Sequence, residues 1–170
     1  MSDTDTSTPT PNGNGEFAGE GPQVAGLGQY IKDLSVENPS APQVFQWEQT
    51  QPLDVQFNIK VNRIADDVHE VVLKITVTAA SDKGTHYVVD LSYAGLFGVR
   101  GVPEDALGPF LLVEAPRLFF PFARQIVAEQ VTNLGFPPLL LDPIDFGQVY
   151  LAQMQGEGEF AEAQPSPTDA

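Results

Sequence analysis

Side chains able to do covalent or metal chemistry are sparse in this sequence, and their spacing brings few of them together. The two histidines, His69 and His86, fall in neighbouring apolar runs whose alternation puts them on opposite faces, so they do not converge as metal ligands. Adjacent Asp66 and Asp67 could form half of a general acid–base site. Paired carboxylates just ahead of an apolar run are, however, the ordinary composition of a solvated turn. Cysteine is absent, which removes thiolate nucleophiles, thiolate zinc sites and disulfides together. Gly26-Leu27-Gly28 and Gly156-Glu157-Gly158 lack the strand–glycine–helix setting of a phosphate loop. No Ser-His-Asp arrangement follows from the spacing. The residues point away from an enzyme and call for no cofactor and no metal.

Charge is the stronger signal. The 170 residues carry 23 acids and 8 bases, a formal net charge of −15. Nucleic-acid binding needs clustered Lys and Arg to neutralise phosphates, and attraction to an anionic membrane surface scales with basic residues, so both are disfavoured. Residues 1–23 hold four acids (Asp3, Asp5, Glu16, Glu20) and no base, and residues 155–170 hold four more (Glu157, Glu159, Glu162, Asp169), again with no base. Both ends are rich in small and polar residues and cannot bury enough surface to offset ordering entropy, so they are expected to be disordered tails around a single domain spanning 24–154. The N-terminus lacks the basic and apolar regions of a signal peptide. The densest apolar stretch, Phe110–Ala128, is interrupted by Glu114, Arg117, Arg124 and prolines, which argues against direct membrane insertion. A cytoplasmic protein is expected.

The domain reads as strands followed by helices, an α+β chain. Tyr30–Glu37 alternates so that Tyr30, Leu34 and Val36 share one face while Asp33, Ser35 and Glu37 share the other, and it stops at Asn38-Pro39. A proline-rich loop to Pro52 contains Val44, Phe45 and Trp47. Leu53, Val55, Phe57, Ile59 and Val61 then alternate strictly with polar residues, and burying such a set contributes about 8–15 kcal/mol before entropy is subtracted. Val68–Ala79 places His69, Val71, Leu73, Ile75 and Val77 on one face. Ser81-Asp82-Lys83-Gly84 predicts a tight turn. In Thr85–Tyr93, Tyr87, Val89, Leu91 and Tyr93 point inward, and His86, Val88, Asp90 and Ser92 outward. Short turns between strands predict an antiparallel sheet with one covered and one wet face.

After a glycine-rich passage (Gly95, Gly98, Gly101) the period changes. Pro103-Glu104-Asp105 opens a long apolar helix that runs to about Leu134, with Gly135 just past its end. Pro109, Pro116 and Pro121 lie inside it and predict kinks or breaks. It is apolar on nearly every side, so one sheet cannot cover it, and a second subunit is the economical source of the missing surface. A short helix follows over about 145–155, with Phe146, Val149, Tyr150 and Met154 on one stripe. A groove between this helix and the Val44–Trp47 loop could take extended apolar peptide, or the loop could simply fold back over the sheet. A soluble α+β carrier enclosing one small apolar ligand is the alternative class.

Several ordered stretches closely resemble SecB, the bacterial protein-export chaperone family. They are Tyr30–Pro39 continued by Ala41–Phe45, Ala65–Leu73, Ala94-Gly95-Leu96-Phe97, Leu118–Arg124, and Gly135–Leu139 through Phe146. The resemblance runs from about Tyr30 to Met154. It implies a four-stranded antiparallel sheet packed on a long, proline-interrupted helix and a short C-terminal helix, assembled as a dimer of dimers. It also implies an ATP-independent holdase that binds unfolded preproteins and delivers them to the SecA motor, whose zinc-bearing basic C-terminal segment docks on the acidic sheet face. Carried over by motif, SecA docking falls to Asp33, Glu37, Val88 and Asp90, where Asp90 replaces a frequent Glu. Client binding falls to Tyr30, Val44, Phe45, Trp47, Val149, Tyr150 and Met154, and the homotetramer interface to Leu111, Leu118, Phe119, Phe122 and Ile126.

Overall fold

The computed structural model describes residues 21–49 and 52–155. The expected tails therefore lie, over 1–20 and 156–170, outside the described residues. Four strands form one antiparallel sheet: β1 (Gln23–Glu37), β2 (Leu53–Ala65), β3 (Val68–Ser81) and β4 (Gly84–Arg100). Their order is β1-β4-β3-β2. Strands β2, β3 and β4 are a meander, and β1 closes on the far side of β4, so both β1 and β2 are edges. The loop after β1 must consequently cross the end of the sheet from one edge to the other.

Strand β2 keeps the strict alternation, with Val55 and Phe57 buried and their polar neighbours Gln56 and Asn58 exposed. The tight turn forms as expected, and Gly84 takes φ +140°, which suits glycine. Strand β4 is longer than the alternation suggested, because Gly95 and Gly98 lie inside it rather than after it. A Cβ on Gly95 would sit 2.8 Å from the Phe97 ring and 3.0 Å from Phe119, so glycine there lets the helix approach the sheet.

Two bulges change the expected faces. A register shift between Ile31 and Asp33 turns Tyr30 to the outer face, opposite Ala94, while Leu34 and Val36 stay inward opposite Leu91 and Val89. Tyr30 is thus not on the inner face with Leu34 and Val36. A second shift, beyond Ala79 and Tyr87, makes His86 an extra residue in β4, and it is fully buried instead of outward-facing.

The helical half begins at Pro103. It comprises α1 (Glu104–Pro109), a π-helical turn (Phe110–Glu114) and α2 (Ala115–Asn133). Pro109 ends α1, and in the turn that follows the Ala115 N–H reaches back to the Phe110 carbonyl. Pro121 is accommodated within α2 without ending it. The end of α2 is a Schellman cap: Gly135 at φ +93°, with the Gly135 N–H on Thr132 O (3.0 Å) and the Phe136 N–H on Val131 O (3.3 Å).

By length and composition Glu104–Asn133 could cross a membrane, but Phe119, Ala123, Val127 and Val131 are fully buried in the core it shares with the sheet. The chain then returns along α2, where Arg124 Nε donates to the Leu141 carbonyl at 2.6 Å. It ends in α3 (Phe146–Met154), whose first turn is capped by Asp145 Oδ1 accepting the Gln148 N–H at 3.1 Å.

Candidate protein-binding surfaces

The outer face of the sheet gathers the acidic residues. Across β1 and β4, Asp33 pairs with Ser92, Ser35 with Asp90 and Glu37 with Val88. The neighbouring β3 positions, Lys74, Thr76 and Thr78, continue the same face. Asp33, Glu37, Val88 and Asp90 are therefore brought together, as the alternation required. Asp90 is 3.6 Å from Lys74 Nζ. Asp33 and Glu37 have no ion-pair partner among the described residues.

Beside this patch lies a polar network that sequence reasoning missed. Glu70 on β3 is 6% exposed although it sits on the outer face. Its carboxylate accepts from Lys32 Nζ (2.6 Å), from Asn62 Nδ2 (2.9 Å) and from the Tyr30 hydroxyl. Tyr30 and Lys32 reach it across β4 over Ala94, which is itself fully buried. Lys32 first, then Tyr30 and Asn62, hold the Glu70 carboxyl down at about 2, and the bond to Glu70 pushes the Tyr30 hydroxyl up to about 12. The one signal in the sequence was a glutamate set between His69 and Val71-Val72-Leu73. The bulge that delivers Tyr30 leaves no such mark.

The loop between β1 and β2 folds back onto the sheet end. Ser40 Oγ donates to the Thr85 carbonyl at 2.8 Å, and Asn38 Nδ2 donates to Leu134 O at 3.0 Å. Val44 is fully buried and Trp47 partly so, with its ring edge-on to His86 at 5.2 Å. Phe45 is 48% exposed, and its ring lies 5.6 Å from Phe136, which in turn lies 4.9 Å from Tyr87. Of the expected client residues in the loop, Phe45 alone is largely open. Val44 belongs to the core and offers no surface while the loop is seated.

Helix α3 packs at the other end of α2. Phe146 is buried against Phe120 at 5.9 Å, and α3 lies against the π-helical turn. From Phe120 to Leu134 the helix rises roughly 21 Å, so within one chain the loop and α3 do not form the two walls of a single groove. Val149 and Tyr150 are half-buried, whereas Leu151 and Met154 are open, Met154 at 69%. Leu140 on the return segment and Ile64 at the β2–β3 turn are further exposed apolar residues.

The residues expected at a tetramer interface divide in two. Leu111 and Phe119 face the sheet and are buried in the chain's own core, so they present nothing to a second chain. Leu118 (57%) and Phe122 (51%) stand one turn apart on the opposite face of α2, with Ile126 partly covered a turn further on. No group of three His, Cys, Asp or Glu side chains suited to a metal occurs among the described residues.

An antiparallel sheet with an acidic outer face, backed by a proline-broken helix with open apolar residues, has the SecB-like chaperone fold. A solved structure of a SecB-like chaperone from Mycobacterium tuberculosis, in complex with a ChAD peptide from the HigA1 antitoxin, superposes with a TM-score of 0.59 at 18% identity, covering 71% of this chain and 90% of that one. The family model for preprotein translocase subunit SecB matches residues 18–157. Over 139 residues the chain is 55% identical to the protein-export protein SecB of Sphingopyxis alaskensis, covering 81% of each. Over 145 residues it is 52% identical to that of Rhizorhabdus wittichii, covering 85% of this chain and 87% of the relative. The chain belongs to the SecB family of protein-export chaperones.

Proposed function

We propose that this protein is an ATP-independent holdase of the cytoplasm that binds unfolded preproteins on exposed apolar surface and passes them to SecA. What carries the reading is the family match across residues 18–157. The open apolar side chains Phe45, Leu140, Leu151 and Met154 support client binding. Each contact is weak, and several engaged along one polypeptide add avidity through effective concentration without sequence specificity. Folding of the client competes, because it buries the same residues.

The SecA contact falls to Asp33, Glu37, Val88 and Asp90. Their shared outer face supports docking of a basic segment, with Val88 as an apolar contact among the acids. The Glu70 network engages Lys32 and so keeps that cation off neighbouring Asp33. Assembly as a dimer of dimers falls to Leu118, Phe122 and Ile126 on the outer face of α2.

The holdase activity is tested by refolding a slow-folding preprotein with excess protein present. Refolding slows if the reading is right, and an unchanged rate sinks it. The docking assignment has its own test. Asp33→Lys or Glu37→Lys weakens calorimetric binding of SecA while client binding persists. Because exposed charges are screened over about 8 Å at physiological ionic strength, the wild-type SecA affinity falls as salt is raised.

A further inference from the structure

Client binding through the Asn38–Gln49 loop meets an obstacle in the geometry, since Val44 is fully buried and Trp47 is partly covered while the loop is seated. The seat is the start of β4. Thr85 holds Ser40 through its carbonyl. Gly84 lies so close to the indole that a Cβ there would be 3.4 Å from Trp47. His86 meets the Trp47 ring edge-on at 5.2 Å.

The choice of side chain at 86 is unusual for a packing role. His86 is 0% exposed, and its Nε2 lies 2.9 Å from Ser81 Oγ, yet its Nδ1 is buried with no hydrogen-bond partner. A buried polar atom left unpaired opposes the state that buries it. The Trp47 ring is one of the groups packed on this imidazole, so the seated loop helps to enclose it. We infer that His86 is a positioning residue for client binding: it seats Trp47 and, through its unpaired nitrogen, keeps the loop easily released, so that an unfolded chain can displace it and reach Val44 and the indole. This deepens the holdase reading and rests on it.

Trp47 is the only tryptophan, so its fluorescence in the full-length protein reports the loop directly. The test measures acrylamide quenching of Trp47, together with the association rate of a synthetic, tryptophan-free unfolded polypeptide rich in Leu, Phe and Arg. His86→Phe keeps a ring against Trp47 and removes the unpaired nitrogen, so quenching falls and association slows by about two- to tenfold, the range for ordering or freeing a side chain at a binding surface. His86→Ala removes the seat, so quenching rises and association quickens. Should the alanine variant fail to fold, the phenylalanine variant decides alone. Folded variants with unchanged quenching overturn the seat. Changed quenching with an unchanged association rate overturns its role in client binding. A wild-type protein that does not bind the polypeptide at all overturns the holdase reading instead, a result separate from the quenching data.

Discussion

Three side chains from the two edge strands converge on Glu70, and its carboxylate is the group that makes their convergence favourable. Lys32 and Tyr30 come from β1 and Asn62 from β2, so a single β3 residue links both edges of the sheet. Its carboxyl is held at about 2 against an ordinary value of 4.5, chiefly by Lys32. A lowered carboxylate contributes stability that is fully present above the ordinary value and is lost as pH falls through the folded one. Glu70→Gln is therefore expected to lower stability by about 1–3 kcal/mol at neutral pH, the range for losing charge-assisted hydrogen bonds. The difference from wild type should shrink between about pH 4.5 and 2. Urea denaturation of both proteins across that range checks it, and a pH-independent difference would assign the loss to packing. The same network bears on the proposed SecA docking, because freeing Lys32 would bring its positive charge to bear on Asp33.

At the scale of elements, the contact between sheet and helix turns on Gly95. The Phe97 and Phe119 rings occupy the space where a Cβ would stand, at 2.8 and 3.0 Å, and both rings are buried. Gly95→Ala should thus cost about 1–3 kcal/mol by overpacking, seen as a lowered urea midpoint at unchanged m-value. This contact also marks where periodicity stops being informative. The alternation of Leu53–Val61, the Ser81–Gly84 turn, the Gly135 cap and the joint outward face of Asp33, Glu37, Val88 and Asp90 were legible, because each is set by local chain geometry. The reversal of Tyr30, the burial of His86 and the glycines inside β4 were not. Each depends on a bulge or a close approach determined by the partner element, and one extra residue moves a side chain to the other face without altering the composition around it. Within one chain the expected groove between loop and α3 does not form, for a related reason: both elements pack on α2, but at opposite ends.

For the whole molecule, the proposed association of chains would draw on the apolar surface that remains. The face of α2 bearing Leu118 and Phe122 points away from the sheet, and both side chains are more than half exposed in a single chain. Such a stripe on a helix whose other face is already buried favours self-association, and an isologous contact lets each residue serve both chains. The net charge of −15 works against it at long range, as like-charged chains repel, so the association must come from close apolar packing and should tighten with salt. The proposed SecA docking, resting on opposite charges, should instead weaken with salt. Salt therefore separates the two surfaces. The decisive variant is Leu118→Glu with Phe122→Glu, which places two carboxylates on the stripe without touching the intrachain core. Light scattering is expected to give a tetramer mass for the wild type and a smaller species for the variant, with far-UV circular dichroism unchanged. A variant that remains tetrameric would move the interface off α2, and the exposed edge of β1, with Val24, Leu27 and Ile31 open along it, would then be the surface to disrupt.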